Sequence, residues 1–182
     1  MTAAKVIPTS SPVNIVDIIG EIVSNVRTEY DTVAGEKPYY MHGNLLEMIN
    51  TLKEYSNSDT LKLKKFPVIM LIEDIDSKGA SGVFEFKSKL NLIIATYTSQ
   101  DYKAANRYDN KFDTILTPLY DLFIAHAIKS NKLHSSKGVI SHDPINRLYW
   151  GKKDVNGNSE NKGDDFIDAI EIRNFEANIY RC

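Results

Sequence analysis

Side chains that ionise, attack or coordinate do chemistry only where their spacing brings them to one point, and three groups in this chain invite that question. Glu73-Asp74-Ile75-Asp76 gathers three carboxylates just after an apolar run, where a magnesium ion or a general acid–base pair could sit. Ser77, Lys78 and Gly79 follow directly, so the same residues also read as a solvated loop at a strand end. Asp154-Val155-Asn156-Gly157-Asn158-Ser159 offers oxygen ligands at the first, third and fifth positions of a calcium loop. Its sixth position is Ser159 instead of glycine, its ninth is Lys162 and its twelfth is Asp165 instead of glutamate. A hairpin turn accounts for it better.

The histidines are His42, His126, His134 and His142, and no two stand four apart as a helical metal pair would. His126 falls on an apolar helix face and reads as a partly buried, hydrogen-bonded residue. His134 and His142 share a loop with Ser135, Ser136, Ser141 and Asp143, but a loop of that kind does not preorganise a nucleophile. No nucleophile elbow, phosphate-cradling glycine loop or dinucleotide fingerprint is present in the sequence. The sequence therefore predicts no catalytic residue, no cofactor and no metal. More suggestive are the adjacent aromatic pairs Tyr39-Tyr40 and Tyr149-Trp150. In an extended segment each pair puts one ring on each sheet face, so one ring either caps the core edge or anchors a protein partner.

The elements that must carry these groups follow from periodicity. Ile15, Ile18, Ile19, Ile22, Val26 and Tyr30 recur at three and four and predict a helix over 13–30, with Gly20 at its middle. Residues 38–43 read as a short extended piece. Asn44 then caps a second helix carrying Leu45, Met48, Ile49, Leu52 and Tyr55. The run 66–72 is apolar on both sides, which suits a central strand covered on both faces. A further strand spans 83–97, half exposed at first and buried later. Asp101 is placed to cap a third helix running to His126, which Pro118 either kinks or restarts. Residues 131–146 and 154–165 read as long loops around a short strand at 147–151. In 166–180 the inward parity changes near Asn174, which predicts a β-bulge or a turn there.

The expected fold is α+β: two layers, a mainly antiparallel sheet packed against about three amphipathic helices. The expected organisation is a flexible arm at 1–12, one domain at 13–180 and a tail at 181–182. With 182 residues, 42% hydrophobic and 25% charged, the chain can bury a substantial core. A net charge of −2 weakens the case for a nucleic-acid or anionic-membrane binder. The one cysteine, Cys182, permits no disulfide within these residues. No apolar run approaches the ~20 residues that span a bilayer, and the composition fits a soluble protein in a reducing compartment.

Several segments, taken in order, carry a resemblance: Pro38-Tyr39-Tyr40-Met41-His42-Gly43, Leu46-Glu47-Met48-Ile49-Asn50-Thr51-Leu52 and Phe66-Pro67-Val68-Ile69. Leu90-Asn91-Leu92-Ile93-Ile94-Ala95-Thr96-Tyr97-Thr98 follows, then Arg107-Tyr108 with Phe112, Ile115-Leu116 and Pro118-Leu119-Tyr120. The last are Tyr149-Trp150-Gly151 and Asp165-Phe166-Ile167-Asp168-Ala169-Ile170-Glu171-Ile172. In this order they resemble tail-terminator, tail-completion and neck proteins of tailed bacteriophages, especially those infecting Bacteroides-type gut bacteria. The loops 131–146 and 154–165 have no match in that pattern.

The resemblance implies a small α+β virion protein without catalytic residues, assembled in the host bacterial cytoplasm. It implies a ring of on the order of six or twelve copies between portal and tail, touching portal or other neck and tail proteins. Genomic DNA would pass without specific binding, with Asp74 and Asp76 as the candidate acidic groups of the channel wall. Tyr39, Tyr40, Tyr149 and Trp150 are the candidate partner interface. The alternatives are a non-viral protein-binding module using a sheet edge or the aromatic patch, and a small metal-dependent hydrolase built on Glu73, Asp74 and Asp76.

Overall fold

Asn14 opens the first helix, its Oδ1 accepting from the Val16 N–H at 3.1 Å. The helix that follows, α1 (Ile15–Glu29), buries Ile18, Ile19, Ile22, Val23 and Val26 on one face. The computed structural model describes residues 14–30, 37–56, 65–79, 85–133, 138–150 and 166–180. The predicted arm at 1–12, the tail at 181–182 and the loop at 154–165 lie outside them. The remaining elements are β1 (Tyr39–Gly43), α2 (Leu45–Ser56), β2 (Val68–Gly79), β3 (Glu85–Tyr97), α3 (Ala104–Arg107), a π-helical stretch (Tyr108–Leu116), α4 (Thr117–Lys129), β4 (Asp143–Arg147) and β5 (Ile167–Tyr180).

The strands form one sheet in the order β1-β2-β3-β5-β4. The β1–β2 pair is parallel and the other three pairs are antiparallel. The fold is therefore the expected α+β type with a mainly antiparallel sheet. Alternation along the central strands sorts their side chains to two faces. Ile69, Leu71, Leu92, Ile94, Ile170 and Ile172 meet α1, the π-helical stretch and α4 in the larger core. Val68, Met70, Ile93, Ala95, Ile167 and Ala169 turn the other way, against Met48 and Leu52 of α2. Apolar cover on both faces explains why 66–72 reads as an unbroken apolar run. Each large aliphatic chain so buried contributes about 1.5–3 kcal/mol, more than any exposed ion pair, so this packing sets the fold.

The parity change in the last strand is a bulge. Leu90 pairs with Phe175 and Leu92 with Ile172, so β3 advances two residues while β5 advances three. Asn174 takes the extra position at φ +52°, a left-handed conformation that asparagine tolerates better than most residues. Beyond it Phe175, Ala177 and Ile179 face the larger core, which Ile170 and Ile172 serve before it.

Three local expectations change. The acidic run does not end its strand, because β2 continues to Gly79 across a register shift between Ile72 and Asp76, with Asp76 opposite Lys89. The strand placed at 147–151 lies earlier, at Asp143–Arg147, and 148–150 form a turn. This edge strand is largely exposed and contains a proline, so its pattern matches a loop; pairing to β5 and the Asn174 Nδ2 donation to Asp143 Oδ2 (2.7 Å) hold it. Asp101 caps no helix: α3 follows Lys103 without a side-chain cap, and the Asp101 N–H turns to Ser99 Oγ. Pro118 opens α4 in its first turn, where a missing N–H is tolerated. The preceding π-helical stretch closes with the Thr117 N–H on the Phe112 carbonyl.

Candidate functional site

The two aromatic pairs are positioned by sheet edges. In β1, alternation sends Tyr40 to the larger core and Tyr39 to the α2 side. The Tyr40 hydroxyl donates to the Val16 carbonyl at 3.0 Å, tying β1 to α1. The ring also explains the glycine in that helix, since a Cβ on Gly20 would lie 3.2 Å from Tyr40 Cε1. Burial, with the Glu73 and Asp17 carboxylates adding to it, pushes the Tyr40 hydroxyl pKa well above that of a free tyrosine. Tyr39 lies under the Arg27 guanidinium, 5.0 Å from the ring centre.

The second pair sits in the turn after β4. Tyr149 adopts φ +53°, and its N–H donates to Asp168 Oδ1 at 3.1 Å. Its ring stacks on the Arg107 guanidinium at 3.6 Å and meets Phe166 edge-on. Trp150 points the other way, packs on the α2-side core and donates from Nε1 to Glu171 Oε1 at 3.0 Å. Glu171 Oε2 also accepts from Arg147 and Arg173. All four candidate interface rings are half buried and engaged within the chain itself.

Beneath Tyr149 lies a constellation that the sequence reading missed. Arg107 and Asp168 are 1% and 0% exposed and bond at 2.9 Å. The guanidinium also donates to the Tyr102 and Ser99 carbonyls and to Thr98 Oγ1, while Asp168 Oδ2 is buried with no hydrogen-bond partner among the described residues. The signal was available in the parity of β5: Asp168 shares the face of Ile170 and Ile172, and an inward carboxylate requires a charged or hydrogen-bonding partner. Arg107 gives no such signal, because the helix containing it begins later than its polar neighbours suggest.

The other described titratable groups meet in pairs spread over the molecule. Glu73 bonds His42 Nδ1 at 2.5 Å, and both side chains are exposed. The Asp74 and Asp76 side chains, with the 154–165 loop and His134, fall outside the described residues. His126 is partly buried and bonds Glu29 at 2.8 Å. His142 Nδ1 bonds the Ile140 carbonyl at 2.7 Å and so carries the proton, which leaves Nε2 to accept from the Tyr120 hydroxyl. Burial, then the Asp121 charge, raises the Tyr120 pKa. Among the described residues no three His, Cys, Asp or Glu side chains are grouped to hold a metal ion. No described helix is long and apolar enough to cross a membrane. No protein-family model and no curated protein matches the sequence.

Proposed function

We propose that this chain is a structural virion protein of the tailed-phage neck, a ring subunit set between portal and tail as a connector, tail-terminator or tail-completion protein. The observation that carries this reading is the ordered series of segments between residues 38 and 172 that resembles those proteins. A small α+β subunit with a mainly antiparallel sheet is the build that the resemblance implies, and the chain has that build.

The use of polar groups also favours assembly. Arg107 and Asp168 brace a turn, Glu171 fastens Trp150, and Tyr40 fastens α1, so these side chains serve to fix surfaces. A net charge of −2 suits a channel wall that DNA passes without adhering, with Asp74 and Asp76 as its proposed acidic groups. A ring needs head-to-tail contacts whose rotation closes. Electron microscopy of the chain co-expressed with a portal protein and the other neck proteins tests the reading. Closed rings containing it are expected; its failure to join any ring in that mixture would overturn the proposal.

A further inference from the structure

The sheet has two edges, and they are not alike. The β4 edge contains Pro144, which has no N–H to offer an incoming strand. The β1 edge contains no proline, and among the described residues no strand pairs with its outer side. The Tyr39 N–H bonds the Pro67 carbonyl at 2.9 Å, so in the parallel ladder Tyr39, Met41 and Gly43 turn their backbone groups toward β2. Tyr40 and His42 turn theirs outward.

Among the described residues, the flanks of β1 carry opposite charge. At the Gly43 end stand the exposed Glu47 and Glu73. Glu73 bonds His42, Glu47 Oε2 reaches the neighbourhood of Gly43, and the exposed Asp17 directly follows Val16, whose carbonyl holds the Tyr40 hydroxyl. At the Tyr39 end stand the exposed Arg27, over the Tyr39 ring, and the exposed Lys37. An edge acidic at one end and basic at the other complements a copy of itself when the copy runs antiparallel.

We propose that β1 pairs antiparallel with β1 of a second copy across a two-fold axis at Met41, joining two five-stranded sheets into one. Tyr40 then stands opposite the partner's His42, and the two exchange both backbone hydrogen bonds; symmetry repeats the exchange. Met41 meets the partner's Met41 at the axis, and Arg27 and Lys37 face the partner's acidic end. The contact stops at two copies, so it is distinct from the head-to-tail contact of a ring and does not depend on the neck assignment.

Met41→Cys in a Cys182→Ser background tests the geometry. A directly opposed pair without ladder bonds has Cα atoms about 4.5 Å apart, within disulfide reach, so mild oxidation should yield a covalent dimer. Leu46→Cys, on the exposed side of α2, should not. In sedimentation equilibrium His42→Pro removes an outward N–H but no β1–β2 bond, and should weaken the dimer about tenfold or more. His42→Ala keeps that N–H and should stay within about threefold. A folded Met41→Cys variant that gives no dimer, or a His42→Pro variant that associates as the wild type does, would overturn the proposal. Amide protection at Tyr40 and His42 that is independent of concentration would overturn it too, because the occupant would then belong to the same chain.

Discussion

Asp168 and Arg107 show what one misplaced charge would cost. Both are desolvated, so removing either partner leaves the other charge uncompensated in the interior. Asp168→Ala should lower stability by about 3–5 kcal/mol in urea unfolding. Arg107→Lys should also destabilise, because a single ammonium cannot reach the Tyr102 and Ser99 carbonyls, Thr98 and Asp168 together. An unchanged denaturation midpoint for both variants would remove the bracing role. Gly20 makes a second residue-scale case. Glycine in a helix interior costs about 1 kcal/mol against alanine, yet Gly20→Ala should bring no such gain. The new Cβ meets a Tyr40 ring that its own bond to Val16 prevents from yielding, so Gly20→Ala at or below wild-type stability is expected.

At the scale of elements, the joint between α1 and β1 depends on a neutral tyrosine. Burial raises the Tyr40 pKa above its ordinary 10.0, so the folded state holds that proton more tightly than the unfolded chain does. The stabilisation is complete below pH 10 and is lost as pH climbs through the folded value. Urea midpoints above pH 10 should therefore fall more steeply for the wild type than for Tyr40→Phe, and parallel curves would contradict the assignment. The elements also show what sequence can disclose. Helices α1 and α2 follow a 3.6 period and Asn44 marks the start of α2 by local capping, whereas the Asn14 cap of α1 was not read from the sequence; the bulge announced itself as a parity change at Asn174. Strand β4 gave no period because it is an exposed edge fixed by β5, and the Arg107–Asp168 pair joins residues 61 apart, a distance no local pattern encodes. Tyr39-Tyr40 was legible as a pair split between the faces of an extended strand, whereas Tyr149-Trp150 lies in a turn, and the Arg27, Arg107 and Glu171 partners were not legible.

At the scale of the whole molecule, packing and braces hold the helices to the two faces of the sheet. The larger core binds α1, the π-helical stretch and α4 to one face, and the smaller binds α2 to the other. Among the described residues, the sheet edges, the half-buried aromatic rings and the helix exteriors stay open to contact. Under the proposed neck assignment, the subunit acts by joining an assembly. Quantitative mass spectrometry of purified virions that encode this chain measures that directly. The chain is expected in the particle at ring stoichiometry with the portal, on the order of six or twelve copies each. Its presence in infected cells but absence from the purified virions would overturn the neck assignment.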